Sequence, residues 1–544
     1  MTGTVPTTRS ATATPGGGAL APLRVKLFRA LWLASLVSSI GGWMQTVGAQ
    51  WFLVESHSDA ALVALIQTAS AAPFLLLGIP SGVLGEFVNR RTLLIIVQAA
   101  LVTIGIVLSV ITLVGGMTPW LLLSFTFLLG AGSAVQGPAY QALVPEIVPR
   151  PLIPSAAALS SIGVNVARSI GPAIAGLAVA AIGIPFVFAL NALSFAVFLV
   201  VLICWRGYQP PVHRAEPFIE ATRAGIRYVW NSGVVRRVLV RLALFIVPAS
   251  ALWALLPLVA AQQLGLDSNG YGLLLGAVGI GSVGGAFVIP RARQKFGANA
   301  TVMIASALFG AVIVVSAMST SLPLTLAVLL VGGVGWIAVI ASLNGSVQAF
   351  LPAWVRSRGL SVYQLVLFGS TAGGSALVGA LAQGIGVVPA SIGAGVLVML
   401  VAASQLVWPL LSTAYKDRGT VTIPLTDVPP VDDVAPLSIS DAAETLVLIR
   451  YRVEPENRAA FVAQMQVVRN TRRRTGARQW ELYDDRESSR VIVEAFSVGS
   501  WREHLSQHED RMTGFDQVEL DKARALTTGI PVVQHLTQLD PAAG

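Results

Sequence analysis

Arg168 stands where a charge is most expensive. It lies in Asn165-Val-Ala-Arg168-Ser-Ile-Gly171-Pro172, inside an apolar run (156–182) with no other charged residue. On insertion scales a charge at mid-membrane costs roughly 2.5–3.5 kcal/mol. Arg168 therefore either faces a wet cavity or locks the helices by donating to helix-end carbonyls. Asn165, three residues earlier, shares its helix face. A second group is Gln45 and Gln50 in Gly42-Trp-Met-Gln45-Thr-Val-Gly-Ala-Gln50-Trp51. With Trp43 and Trp51 they offer hydrogen bonds and ring faces to a bulky amphipathic ligand; Trp51, near the outer end, reads rather as an anchor at a membrane interface. A third is Gly82-Val-Leu-Gly85-Glu86-Phe-Val-Asn-Arg90-Arg91, an acid and paired arginines squeezed between two apolar runs. There Glu86 can latch to Arg90 at a membrane surface. His504 and His508 share a helix face, but two imidazoles without a third ligand do not make a metal site. No catalytic set, metal or cofactor is expected, and the chain does not read as an enzyme.

The elements that must position these residues follow from composition. Hydrophobic residues make up 54% and charged residues 12%, about half the charge of a soluble domain. A bilayer crossing needs about 20 apolar residues. Such runs fall near 28–54, 60–84, 92–114, 119–144, 156–182 and 184–205. A second group lies near 238–263, 270–290, 300–319, 322–351, 359–384 and 390–412. The reading is an all-α membrane fold of twelve transmembrane helices in two six-helix bundles (23–205 and 238–414), joined by a linker (206–237).

Charge placement supports the count. Outside Arg168, every Lys and Arg from 21 to 418 falls in alternate loops or at their helix ends, while the opposite loops hold Glu55, Asp59 and Asp267. That is the positive-inside pattern, with both termini cytoplasmic. It makes the net charge of +9 a topology signal and excludes nucleic acid as a partner. The lone Cys204 rules out an intrachain disulfide. Leu143-Val-Pro-Glu-Ile-Val148 matches Phe350-Leu-Pro-Ala-Trp-Val355, and Gly285-Ala-Phe-Val-Ile-Pro-Arg291 takes the place of the Gly82 stretch, with Ile289 for Glu86. Weak similarity at half the membrane region is what two parallel repeats leave. No Asp or Glu lies at mid-membrane.

The Gly82–Arg91 stretch resembles the loop motif of the major facilitator superfamily, with Glu86 for the commoner Asp and Asn89 for Gly, a residue that also tolerates positive φ. Gly171-Pro172 and Gly176 resemble the helix-five signature of the superfamily's antiporters, where Pro172 supplies a bend. The superfamily's helix-four arginine is absent from Ser133-Ala-Val-Gln136-Gly137. Together with Gly42–Trp51, Gly137–Pro145 and Asn165-x-x-Arg168, these runs resemble the transmembrane secretion effector branch, which includes enterobactin-exporter-like proteins. The resemblance implies a secondary active exporter of a small amphipathic, siderophore- or drug-like molecule in the cell membrane, driven by protons.

Residues 1–22 read as a disordered cytoplasmic tail. Phe218–Trp230 reads as an amphipathic surface helix with Phe218, Thr222, Ile226 and Val229 on one face. Past a Pro-rich linker (415–443), residues 444–539 order as β-α-β-β-α-β, a small α+β ferredoxin-like cytoplasmic domain. Its Ser-Trp-x-x-His-x-x-x-His run is similar to the antibiotic-biosynthesis monooxygenase superfamily. That resemblance implies dimerisation through sheets, and leaves open a bifunctional protein whose domain is a cofactor-free enzyme. Arg472-Arg-Arg474 is expected to touch the anionic leaflet.

Overall fold

The structure is a computed structural model that describes residues 20–87, 89–205, 218–411, 417, 419–422 and 443–538, apart from the side chains of 79–87, 218–222 and 353. Most of the expected tail, the first part of the central linker and most of the 415–443 linker therefore lie outside the described residues.

Six helices form the first half: α1 (Lys26–Glu55), α2 (Ala60–Phe87), α3 (Arg90–Leu113), α4 (Pro119–Ile147), α5 (Ile153–Ile182) and α6 (Ile184–Cys204). A surface helix, α7 (Phe218–Asn231), leads to α8 (Gly233–Leu258), α9 (Ser268–Met318), α10 (Leu322–Phe350), α11 (Arg356–Ile385) and α12 (Val387–Ala403). Among the described residues, 10 helices are long and apolar enough to cross a membrane. One of them, α9, spans 51 residues and breaks at Gly297 (φ 79, ψ 167), between the two runs expected at 270–290 and 300–319. The apolar α12 is shorter.

Local chemistry sets the ends. Asn89 keeps a negative φ (φ −52) and caps α3, its side chain accepting from the Thr92 amide, so its role is a cap rather than a left-handed turn. Gly183 (φ 86) turns α5 directly into α6, and Gly386 (φ 95) turns α11 into α12. These one-residue turns need a backbone that side chains disfavour, and they recur at matching places in the two halves.

The arginine-bearing loops lie at one end, here the basic end; Glu55, Asp59 and Asp267 mark the acidic end. One hydrophobic core runs through the second half and takes in Val47, Trp51, Leu53, Val63 and Leu108 from the acidic side of the first half. The basic side of the first half has its own core, built on Phe28, Leu94, Tyr140, Leu143 and Phe198. Among the described residues, the two halves thus share a core toward the acidic end, while the basic side of the first half keeps its own. Large apolar side chains such as Leu193 and Phe287 point outward at 59% and 68% exposure, as a lipid-facing surface requires.

The C-terminal domain comprises β1 (Thr445–Arg452), α13 (Arg458–Thr475), β2 (Gln479–Asp484), β3 (Val491–Val498), α14 (Trp501–Ser506), α15 (Gly514–Arg524) and β4 (Val532–Thr537). Its antiparallel sheet has the order β2-β3-β1-β4. Val447, Ile449, Tyr451 and Phe496 pack against Phe461, Met465 and Val468 of α13 and Leu520 of α15. Glu494 is wholly buried in this core. It accepts from Arg472 at 3.0 and 3.2 Å, from Trp480 at 2.8 Å and from Tyr451 at 2.9 Å, which satisfies a carboxylate that would otherwise be ruinous inside. Arg474 bonds Asp516 at 2.5 Å. Two of the three arginines expected at the lipid surface are thus committed to the domain's interior.

Helix α7 packs on α11 and α13. It buries Ala224, Tyr228 and Val229 and leaves Ile226 at 46% exposure. The expected apolar face is therefore rotated, because the helix sits between protein surfaces; Phe218 and Thr222 are outside the described side chains.

Candidate functional site between the two halves

Three pairs of helices close the acidic side. Helix α5 crosses α9 so tightly that a Cβ on Gly176 would lie 2.6 Å from the Ser268 carbonyl and 2.9 Å from the Gly272 Cα. A Cβ on Gly272 would lie 2.8 Å from the Pro172 carbonyl. Ser169 also donates to the Gly279 carbonyl at 2.9 Å. Helix α2 meets α11 through Thr68, whose hydroxyl donates to the Ala372 carbonyl at 2.9 Å, and through Phe74 stacked on Phe368 at 4.0 Å. Small residues permit this approach.

Between α1 and the second half the contact is polar. Gln50 donates to the Trp253 carbonyl at 3.0 Å and accepts from the Tyr271 hydroxyl at 2.7 Å. Trp51 stacks on Tyr271 at 5.9 Å, donates to Glu55 at 2.8 Å, and is only 5% exposed. Gln50 and Trp51 are a clasp between the halves, and the anchor role for Trp51 is excluded by its burial. Their partners in the second half, Trp253 and Tyr271, stand more than 200 residues away, a pairing that no local pattern announces.

About 10 Å nearer the basic end, seven residues at 1.5 Å each, the seam carries an aromatic row. Trp43 of α1 lies 6.3 Å from Trp253 of α8, which lies 5.5 Å from Trp336 of α10. Arg168 stands over Trp43 with its guanidinium carbon 5.8 Å from the ring centroid. Gly171 admits this approach of α1, since a Cβ there would be 2.8 Å from the Trp43 Cβ. Among the described residues no ion pair forms at Arg168, and its Nε is buried without a hydrogen-bond partner. The Trp253 Nε1 is in the same condition.

The other cavity candidates are placed elsewhere. Gln45 turns toward α6, where Asn191 donates to its Oε1 at 3.5 Å. Asn165 donates to Ser161 of its own helix at 2.9 Å. The lock considered for Arg168 is made by different arginines. Arg241, 1% exposed, donates to the Val401 and Trp408 carbonyls at 2.9 and 2.5 Å and to the Ser404 hydroxyl at 2.6 Å. Arg91 donates to the Leu202 and Ile203 carbonyls at 3.0 and 3.2 Å.

At the basic end Arg90 forms an ion pair with Glu146 and donates to the Ala142 carbonyl at 3.0 Å. The motif thereby ties the start of α3 to the end of α4, and Arg91 ties it to α6. Gly82, Gly85 and Glu86 lie in the last turns of α2, with their side chains outside the described residues. Glu146 was visible in the sequence only as part of a repeat.

On the second half the C-terminal domain occupies this end. Glu503 of α14 bonds Arg227 of α7 and Arg511 of its own domain, each at 2.9 Å. Arg511 lies 4.8 Å above Trp354, which meets Tyr228 edge-on at 5.8 Å. Burial alone would raise the Glu503 carboxyl, but Arg511 and Arg227 hold it below the usual carboxylate range. Asp417, Gly419 and Val421 add backbone hydrogen bonds to Phe515, Gly514 and Met512 at 2.9–3.0 Å. Behind the clamp, His504 lies 4.9 Å from His508 and 4.8 Å from His535, the last brought in by β4. Burial first, and then His508, push His504 down to about 3, so it is neutral at physiological pH. Among the described residues no group of three or more metal-ligating side chains is placed to hold an ion.

The family model described as transmembrane secretion effector matches residues 17–541, through the C-terminal domain. The chain is 24% identical to the staphyloferrin A transporter of Staphylococcus aureus over 51% of this chain and 70% of that one. It is 23% identical to the multidrug efflux pump Tap of Mycobacterium tuberculosis over 37% of this chain and 51% of the pump. It is also 23% identical to macrolide efflux protein A of Streptococcus pyogenes over 28% and 37% of the two chains. Among solved structures, an inward-facing bacterial homologue of the human lysosomal transporter Spinster superposes with TM-score 0.58 at 15% identity, covering 72% of this chain and 99% of that one. The nucleoside transporter NupG gives 0.56 at 11% identity, covering 71% and 100%. Both likenesses concern the fold alone. The chain belongs to the transmembrane secretion effector family of major facilitator transporters and is a multi-pass membrane protein.

Proposed function

We propose that this protein exports a small amphipathic molecule by alternating access, using the proton gradient that its family resemblance implies. The observation that carries the reading is the one-sided contact between the halves. The glycine seam of α5 on α9, Thr68 on Ala372 and the Gln50–Tyr271 clasp all lie from mid-span to the acidic end. Toward the basic end, among the described residues, the cores separate. We place twelve crossings, counting α9 as two about Gly297 and α12 as the last, with both termini and the basic end cytoplasmic by the positive-inside pattern. The conformation then opens inward, ready to load.

The C-terminal domain, ferredoxin-like by its strand order, acts as a cytoplasmic brace on the second half. Its outer sheet face, with Leu446, Tyr483 and Leu536 exposed, is the surface through which two copies would meet.

Everted vesicles provide the test. In a Cys204→Ser background, Thr68→Cys with Ala372→Cys should form a disulfide that holds the acidic side closed. Oxidation is expected to abolish accumulation of exported compounds across a metabolite panel, and reduction to restore it. Transport that continues at full rate in the oxidised protein would overturn the reading.

A further inference from the structure

The seam between the halves sets a guanidinium beside a row of indoles. Three observations bear on it. First, the ion beside the aromatic row is a cation: Arg168 projects beside Trp43, and the acids between residues 26 and 403 (Glu55, Asp59, Glu86, Glu146, Glu216, Glu220 and Asp267) all lie in sequence away from the middles of the apolar runs. Second, the polar atoms left over within the aromatic row and on Arg168 above it, Arg168 Nε and Trp253 Nε1, are both donors. The acceptors next to them are occupied: the Trp253 carbonyl by Gln50, Gln50 Oε1 by Tyr271, the Gly279 carbonyl by Ser169. Third, the donors are set among ring faces, with Trp43, Trp253 and Trp336 at centroid spacings of 6.3 and 5.5 Å and tilts of 48° and 72°.

Buried donors without acceptors are costly until a ligand supplies them. A carboxylate on a guanidinium gives the strong, charge-assisted form of that bond. A planar group would lie against indoles that are tilted rather than stacked on each other. An ammonium would meet Arg168 at short range with no carboxylate beside it, and the indole faces offset only part of that repulsion. Because Trp43 and Arg168 belong to the first half and Trp253 and Trp336 to the second, such a ligand bridges the parts that must move.

We propose that the cargo site is selective for organic anions bearing a planar, aromatic group, with Arg168 receiving the anionic group and Trp253 Nε1 donating the second hydrogen bond. This rests on the exporter reading above and narrows its cargo.

Binding to the purified full chain in lipid nanodiscs tests it, with three probes of one shape: 1-naphthoate, 1-naphthamide and 1-naphthylmethylammonium. Loss of one hydrogen bond to a charged group corresponds to about tenfold or more in affinity. Naphthoate is expected to bind at least about tenfold tighter than the ammonium by the same conversion. Arg168→Gln should erase the preference for the acid over the amide, Arg168→Lys should restore part of it, and Trp253→Phe, which keeps a ring and removes the N–H, should weaken naphthoate several-fold. The proposal is overturned if the ammonium binds as tightly as the acid, if Arg168→Gln leaves naphthoate affinity unchanged, or if none of the three probes binds. Since binding is read without transport, naphthoate bound selectively but never moved would count against the exporter reading alone. Vigorous export of cationic cargo with no preference for anions would count against this site alone.

Discussion

The basic ends of the two halves solve one problem in different ways. In the first half, Arg90 finds Glu146, and Arg91 takes the last carbonyls of α6. That end is tied by its own residues. In the second half the repeat position of Glu146 is Ala353 and that of Glu86 is Ile289, so no acid is available for the same bond. There the C-terminal domain sets Arg511 on Trp354 and joins Glu503 to Arg227 of α7. One half carries an internal brace, and the other borrows one from an appended domain. Two repeats can thus diverge in charge and keep the same mechanical requirement.

The largest break in this comparison is expected at Glu146. Glu146→Gln removes the charge from the Arg90–Glu146 pair and should cost about 2 kcal/mol, in the range for hydrogen bonds to charged groups. It should be read as a lowered Tm of the solubilised protein and faster hydrogen exchange at the ends of α3 and α4. Unchanged exchange there would mean that the pair carries no load. Arg511→Ala ranks next. It removes one side of the Glu503 bridge and the cation over Trp354, about 1–2 kcal/mol if the pair is desolvated. The expected result is faster exchange in α14 and α7 with α3 and α4 unaffected, whereas a change in both halves would show that the two braces are coupled.

The smallest effect is a pH dependence confined to the second brace. His504 is held near 3 by burial and His508, against an unfolded value of about 6.5. The unfolded state then binds more protons between these values, so stability is full above about pH 6.5 and falls as pH drops. From pH 8 to pH 6 the loss should be about 0.8 kcal/mol, seen as faster exchange around α14, and His504→Phe should flatten it. Equal acid sensitivity in α3 and α4 would contradict the assignment.

Much of this architecture is legible in the sequence because a bilayer leaves few options. Runs of about 20 apolar residues prescribe the helices, and the one-sided arginines gather at one end of them. The misjudged places are those where a partner far along the chain decides. The last helix was expected to reach 412 but ends at Ala403, where Arg241 draws the Val401 and Trp408 carbonyls and the Ser404 hydroxyl to itself. Trp51 has the composition of an interfacial anchor and is buried by Tyr271, a residue 220 positions away. The rotated face of α7 reflects a neighbouring domain that its own periodicity does not encode. Arg168 shows the converse. Its cost alone singled it out, and the lock that would have explained it away belongs to Arg241 and Arg91.

The central claim is that the halves close at the acidic end while the basic end stands open, and then exchange. The oxidised Thr68→Cys/Ala372→Cys protein tests this most directly through the distance between spin labels placed at Ser357 on α11 and Ser155 on α5, at the basic end of each half. The account predicts one long, narrow distance distribution in the oxidised protein and a second, shorter population that returns on reduction. A distribution identical in both states, already containing the short population while the acidic side is locked, would contradict it.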